Sequence, residues 1–97
     1  MYSQVTRVNI QPGKMDEGIA IFKDSVAPAI HGWSGLQMGR LLIDRASNNI
    51  MAVSFWDSQA DEASLQSNAA YKGQFGKFGA LFAGPPEVDV YEEAVDV

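Results

Sequence analysis

The chain has 97 residues, of which 46% are hydrophobic and 20% are charged, a composition typical of one globular domain. Seven Lys and Arg against twelve Asp and Glu give a formal net charge of −5, which argues against nucleic acid as the main partner. The chain has no cysteine and one histidine, so its own residues exclude disulfides, cysteine-ligated zinc and multi-histidine metal sites.

Residues 1–6 lack the basic and apolar segments of a signal peptide, and no apolar run approaches the ~20 residues that span a bilayer. We therefore expect a cytoplasmic protein that contacts neither membrane nor nucleic acid. The last eleven residues carry five acidic side chains and no basic one. This pattern is typical of a charged terminal strand whose edge resists aggregation.

The first two predicted elements are a strand and a helix. Residues 2–10 are rich in strand-forming side chains and contain neither glycine nor proline. A helix is predicted from about Lys14, because apolar residues recur every three or four positions. Pro28 is expected to kink or end this helix near Ala27. The apolar positions of the helix are Met15, Ile19, Phe22, Val26 and Ile30.

A hairpin is predicted next. Residues 36–43 and 50–56 have strand composition, and the polar segment 44–49 between them suits the connecting loop. Asp57 or Ser58 is placed to cap a short helix after the hairpin.

A second long helix and a last strand complete the chain. Ser67 or Asn68 is placed to cap a helix that begins at about Ala69. Residues 88–95 follow a Gly-Pro-Pro break and have strand composition. The helix carries an aromatic stripe at helical spacing, made of Tyr71, Phe75, Phe78 and Phe82.

The element order β-α-β-β-α-β predicts an α+β fold of the ferredoxin-like type, formed by residues 1–97 as one domain. It has a four-stranded antiparallel sheet with helices on one face. Strict alternation along the hairpin strands places apolar side chains on both faces of the sheet. Because the helices cover one face, we expect a homodimer through the other. The predicted interface residues are Gly39, Leu41, Met51, Val53 and Phe55.

Three segments carry a resemblance to a known family. Ser54-Phe55-Trp56 with the following Asp-Ser-Gln-Ala, the Gly-Trp-Ser-Gly-Leu run at 32–36, and Pro-Pro-Glu-Val at 85–88 resemble the antibiotic biosynthesis monooxygenase-like (ABM) family. The resemblance implies a dimeric α+β barrel. It also implies a cofactor-independent monooxygenase acting on phenolic, quinol or polyketide-like aromatics, with no metal and no cofactor.

The resemblance also bears on single positions. Trp56 matches the family's tryptophan, whereas the family's strand-three amide falls on Ala52 and its tyrosine after the tryptophan falls on about Glu62. Family members that degrade haem use an asparagine, a tryptophan and a histidine at positions that fall here on Thr6, Leu65 and about Phe75. Phenylalanine cannot ligate iron as histidine does, so we do not expect haem degradation.

Small residues on the third strand predict a pocket beneath the helices. Ala52 and Ser54 lie between the larger Ile50 and Trp56, and Gln4 shares their predicted face. An apolar pocket with a few polar groups is the usual site for a small hydrophobic or aromatic molecule. The residues expected to bind the substrate are Thr6, Arg40, Ala52, Ser54, Tyr71, Phe75 and Phe78.

His31 and Trp56 are the catalytic candidates. His31 is the one side chain that ordinarily titrates near neutrality, so it is a candidate base, although a helix-end histidine can simply bind backbone carbonyls. Trp56 can stack on an aromatic substrate, or it can pack in the hydrophobic core at the end of the sheet. Arg40 can bind a phenolate, but a salt bridge to Asp44 or Glu92 is the interpretation we favour.

Two other functions fit the same residues. A non-catalytic dimeric binding module needs only the pocket. An isomerase on the same fold would move protons through His31 or an acid without consuming O2.

Overall fold

The computed structural model describes residues 1–97, and its centre is a four-stranded antiparallel sheet. The spatial order of the strands is β2-β3-β1-β4, which confirms the predicted ferredoxin-like α+β topology. The last strand ends three residues before the predicted boundary. The strands are β1 (Tyr2–Asn9), β2 (Leu36–Asp44), β3 (Asn49–Trp56) and β4 (Glu87–Glu92).

The first helical segment, called the rod below, runs from residue 15 to residue 30, so of the two predicted effects of Pro28, a kink or an end near Ala27, the end does not occur. It consists of α1 (Met15–Ile21), a π-helical turn (Phe22–Val26) and α2 (Ala27–Ile30). Pro28 would clash with the carbonyl of the residue four positions earlier in an uninterrupted α-helix. The wider π turn lies directly before α2 and relieves this conflict, so the helical segment continues.

None of the helices combines the length and the apolar composition that a membrane-spanning helix needs.

Both predicted capping positions are confirmed. α3 (Gln59–Ser64) begins after Ser58, whose Oγ accepts a hydrogen bond from the backbone N–H of Asp61 at 3.1 Å. After a single 3₁₀ turn, α4 (Ala69–Gly79) begins at Asn68. The Asn68 side chain accepts from the backbone N–H of Tyr71 at 3.0 Å.

The core lies between the helices and one face of the sheet. α1 packs directly on the core at Gly18, where a Cβ would lie 3.5 Å from the Phe78 ring and 3.6 Å from Ile10, an ordinary van der Waals separation. Edge-to-face aromatic contacts continue the core along α4. The buried cluster is Val8, Ile10, Met15, Val26, Ile50 and Phe78.

A β-bulge changes the register of the hairpin. Leu36 pairs with Trp56, but Met38 pairs with Phe55. Between these two pairs β2 therefore has one more residue than β3. One extra residue moves all later side chains of the strand to the opposite face. Every face assignment made for β2 by simple alternation from Met38 onward is therefore wrong.

The corrected register redefines both faces of the sheet. Gly39 and Leu41 pair with Ser54 and Ala52 and so face the helices, not the predicted dimer interface. The opposite, uncovered side is called the outer face below. Its side chains on the hairpin are Met38, Arg40, Leu42, Met51, Val53 and Phe55.

Two exposed glycines weaken α4. A Cβ at Gly73 or Gly76 would meet no heavy atom within 4 Å. We expect Gly73→Ala and Gly76→Ala each to raise the free energy of unfolding by about 0.5–1 kcal/mol, because alanine has the higher helix propensity. Urea denaturation followed by circular dichroism measures the change. Gly13→Ala is the contrasting variant: its φ of +79° is a conformation that alanine rarely adopts, so a comparable gain there would contradict the argument.

Candidate functional site

A cavity of about 200 Å³ lies between the helix-facing side of the sheet and the helices. The rod of α1 and α2 and the helix α4 form its upper wall, and β1, β2 and β3 form its floor. Most of the lining is apolar. The apolar residues of the lining are Phe22, Val26, Ala27, Ile30, Leu36, Leu41, Ala52, Val53, Leu65, Tyr71 and Phe75.

Gly39 keeps part of the floor open. Its position on the helix-facing side follows from the bulge, and it lines the cavity. The nearest heavy atom to a Cβ at this position would be the backbone oxygen of Val53 at 4.0 Å. The missing side chain therefore contributes directly to the cavity volume.

Polar groups interrupt the apolar wall at a few points. Gln4 and Thr6 are each 6% exposed and line the cavity from β1. Ser54 lies directly across from Gln4 on β3. Neither the Thr6 hydroxyl nor the Tyr71 hydroxyl forms a hydrogen bond within the protein. An apolar cavity with a few buried polar atoms matches the usual chemistry of a small-molecule site.

A buried carboxylate stands behind the Gln4 side chain. Glu62, on α3, is 6% exposed, and its Oε1 accepts a hydrogen bond of 2.9 Å from Gln4 Nε2. The sequence interpretation missed Glu62, because an acid on a short capped helix ordinarily points to solvent. Its spacing of three residues from the buried Leu65 places both on one helix face. That spacing is the signal that could have identified it.

His31 lies at the rim of the cavity, where the rod ends. Its backbone N–H donates to the carbonyl of Ala27 at 2.9 Å, and its side chain is exposed to solvent while lining the cavity. A base in this position can take a proton from a bound molecule and release it to water. The predicted proximity of His31 to the pocket is therefore present in the structure.

Trp56 and Phe78 do not line the cavity as predicted. Trp56 is fully buried and its indole N–H donates to Ser54 Oγ at 2.8 Å. It therefore supports a lining residue and has no face available to stack on a ligand. Phe78 packs edge to face against Phe22 and Phe82 in the core, because it lies on the buried side of α4. Tyr71 and Phe75, from the same stripe, do line the cavity.

Arg40 forms neither of the predicted salt bridges. Its pairing with Val53 places it on the outer face, and its Nη1 donates to the carbonyl of Gly39 at 2.7 Å. Neither Asp44 nor Glu92 forms an ion pair with it, because the bulge moved Arg40 away from the side on which the sequence placed it. Arg40 still contributes to the cavity lining beside Gly39.

Burial raises the pKa of the Tyr71 hydroxyl above its usual value near 10. Because the folded state favours the neutral phenol, its contribution to stability is complete below about pH 10 and falls as pH rises through the folded-state pKa. We expect tyrosinate absorbance to show a late ionisation step in the folded protein. Tyr71→Phe should remove that step, whereas Tyr2→Phe should leave it in place. A late step that survives in Tyr71→Phe would contradict this assignment.

Several solved structures superpose on this chain over nearly its whole length. SnoaB, a cofactor-independent oxygenase from Streptomyces nogalater, gives a TM-score of 0.85 over 99% of this chain and 95% of that chain, at 16% identity. A crystal structure of an antibiotic biosynthesis monooxygenase gives 0.83 over 98% and 100%, at 11% identity. Rv0793 from Mycobacterium tuberculosis gives 0.81 over 98% and 96%, at 14% identity.

The chain has the ABM fold. This confirms the predicted resemblance at the level of architecture, which is what identities this low establish. The ABM fold here comprises the bulged hairpin, the helices on one face and the cavity between them.

Sequence comparison gives curated relatives that are longer than this chain. It is 32% identical over 95 residues to the uncharacterized protein Rv2557 of Mycobacterium tuberculosis, and 31% identical over 96 residues to the uncharacterized protein Rv2558. These alignments cover 97% and 98% of this chain, but 41% and 39% of the relatives. The chain thus spans about two fifths of their length. No protein-family model matches it.

Proposed function

We propose that this ABM-fold protein is a cofactor-independent monooxygenase that acts on a small phenol or quinol. The observation that carries the proposal is the largely apolar cavity, lined by a few polar groups from Gln4, Thr6 and Tyr71 that keep hydrogen-bonding capacity for a ligand. The likeness of its fold to the cofactor-independent oxygenase SnoaB supports the choice of reaction.

The cavity volume favours a substrate with one or two rings. At about 200 Å³ it is somewhat larger than a cavity of ~150 Å³ that holds benzene. It is smaller than the ~300–1,000 Å³ of sites for drug-sized ligands. We therefore favour a substituted single ring or a fused pair over an extended polyketide.

The proposed chemistry needs no external reductant. The substrate hydroxyl loses its proton, and the phenolate gives one electron to O2, which forms a phenoxyl radical and superoxide. These recombine at a ring carbon that carries hydrogen to form a C–O bond and a peroxide. Loss of that ring hydrogen and cleavage of the O–O bond release water and leave a quinone. One O2 is consumed for each substrate, with one oxygen atom in the product and one in water.

His31 is the proposed base of the first step, because it lies at the rim of the cavity and is exposed to solvent. Tyr71 and Phe75 supply an aromatic wall, with their ring centroids 5.6 Å apart. Such a wall favours a flat aromatic substrate through buried area and ring contacts.

We also propose a homodimer through the outer face, in which Met38 and Leu42 take the place of the predicted Gly39 and Leu41. Leu42 is 52% exposed there, and Met38 and Tyr91 are also exposed. The half-buried Met51, Val53 and Phe55 continue this apolar surface on β3. A second copy of the sheet would cover it.

Oxygen uptake tests the proposed function. A panel of one-ring and two-ring phenols and quinols is incubated with the protein, and O2 consumption and products are recorded. We expect one O2 per quinone formed with at least one substrate. Product that forms without O2 would indicate an isomerase. Binding with no turnover across the panel would indicate a binding module. Either result would overturn the proposal.

His31→Ala tests the assignment of the base. We expect kcat to fall by about 100-fold or more, the range of a general base, while substrate affinity changes little. Added imidazole should restore part of the activity, because it replaces the missing base at an open rim. Unchanged turnover in the variant would remove His31 from the mechanism.

A further inference from the structure

We infer that Glu62 fixes the orientation of the Gln4 amide so that the cavity accepts a hydrogen bond from its ligand. This selects molecules that carry a hydroxyl or amino donor over molecules that only accept. The inference rests on the proposed ligand-binding role of the cavity and deepens it.

The chemistry of the carboxylate sets which end of the amide faces it. An ionised carboxylate only accepts hydrogen bonds, whereas an amide donates through nitrogen and accepts through oxygen. Gln4 Nε2 therefore turns toward Glu62 Oε1, at 2.9 Å. With both side chains 94% buried, this orientation is strongly favoured over one that brings two oxygen atoms together.

The other end of the amide faces the cavity. Gln4 Oε1 has no hydrogen-bond partner in the protein, and no side-chain polar atom that is sealed from solvent lacks a partner. Oε1 therefore reaches open space. Because Gln4 lines the cavity and is otherwise buried, that space is the cavity itself. The floor thus presents an acceptor in a fixed position.

Ser54, on the neighbouring strand, has a rotatable O–H that can still donate, so the preference for ligands with a donor rests on the fixed Gln4 amide oxygen alone. The Ser54 Oγ already accepts from the Trp56 indole N–H at 2.8 Å, and it lies across from Gln4 on the same face. Trp56 and Glu62 therefore act as positioning residues behind the two polar groups of the floor. A ligand that lacks a donor would leave Gln4 Oε1 desolvated and unpaired.

Binding measurements with four ligands of similar size test the inference. Each ligand is a toluene with one further group at the para position: p-cresol and p-toluidine donate, p-tolualdehyde only accepts, and p-xylene does neither. Dissociation constants are measured by calorimetry. We expect the wild-type protein to bind p-cresol about tenfold or more tightly than p-tolualdehyde, because a site with a buried acceptor rejects ligands that leave it unpaired.

Glu62→Gln removes the constraint, because glutamine both donates and accepts and so permits either orientation of Gln4. We expect the preference for p-cresol over p-tolualdehyde to fall to less than about threefold. The double variant Gln4→Glu with Glu62→Gln restores a fixed acceptor and should regain the preference. Glu93→Gln, an exposed carboxylate-to-amide change, should leave it unaltered.

The ratio of the affinities for p-cresol and p-tolualdehyde separates this role from a merely structural one. A structural role would lower the affinities for all four ligands equally. Full discrimination in folded Glu62→Gln, or equal binding of p-cresol and p-tolualdehyde by the wild type, would overturn the inference while leaving the cavity as a binding site. If Glu62→Gln does not fold, loss of the preference in the double variant overturns it instead. If none of the four ligands binds, the cavity is not a ligand site, and the proposed function fails with the inference.

Discussion

Replacing Gly39 with isoleucine should abolish ligand binding without weakening the fold. The new side chain would project into the cavity, since Gly39 lines it and a Cβ would find its nearest neighbour at 4.0 Å. If one aromatic ring can no longer enter the cavity, the binding free energy loses the roughly 3 kcal/mol that burial of the ring contributes. This corresponds to at least about a 100-fold loss of affinity. Stability should rise by up to ~1 kcal/mol, because glycine is unfavourable inside a strand and isoleucine is favoured there.

Calorimetry with p-cresol and urea denaturation measure the two effects. Gly39→Ala is the matched control, since a single methyl group removes little volume, and its affinity should fall less than tenfold. Ala52→Phe, on the adjacent strand, should block the same cavity independently. Wild-type affinity in folded Gly39→Ile would place the ligand site elsewhere.

Replacing Phe55 with aspartate should convert the proposed homodimer into monomers. Phe55 lies on the outer face, where its cross-strand neighbours are Ser3 and Met38, so a carboxylate there would have no cation directly across from it. An unpaired buried charge costs roughly 3–5 kcal/mol. The dimer should therefore dissociate roughly a hundredfold or more readily. Analytical ultracentrifugation over a micromolar concentration series measures this change.

Two further variants serve as comparisons for Phe55→Asp: Val53→Asp in the interface and Val97→Asp outside it. Val53 pairs directly with Arg40, so a carboxylate at position 53 gains a cationic neighbour and should weaken the dimer less than Phe55→Asp. Val97 lies beyond β4 and is fully exposed, so its replacement should have no effect. A wild-type chain that sediments as a monomer at micromolar concentration would refute the proposed assembly.

The order of the elements was predictable because each carries a local signal. Apolar spacing marked the helices, the polar loop marked the hairpin, and the side chains of Ser58 and Asn68 do cap the helices they precede. These signals act within a few residues of one another. Local chemistry is therefore sufficient for the element order and, through it, for the topology of the sheet.

The faces of β2 were not predictable by the same route. The bulge after Leu36 has no distinctive local residue, and it shows itself only when β2 is paired with β3. One extra residue was enough to exchange Gly39 and Leu41 with Met38 and Arg40. Two of the five predicted interface residues, and the part of the cavity floor that β2 supplies, were misassigned for this single reason.

The hydrogen bond between Gln4 and Glu62 was not predictable, because it joins residues that are far apart in the sequence. Gln4 and Glu62 are 58 residues apart, and neither has an unusual local context. Tyr71 and Phe75 were identified because helical spacing places them on one stripe, but spacing could not separate them from Phe78. Which members of a stripe face a cavity depends on the volume left between packed elements.

The π-helical turn at residues 22–26 has a consequence for aligning this chain with its structural neighbours. Such a turn holds one more residue than the α-helical turn it replaces, and each residue in a helix advances by about 100°. Against a neighbour whose first helix is uninterrupted, a one-residue gap belongs in this segment. An alignment without that gap would assign His31 to the wrong column, and would do so without any visible drop in identity at the 11–17% that separates these sequences.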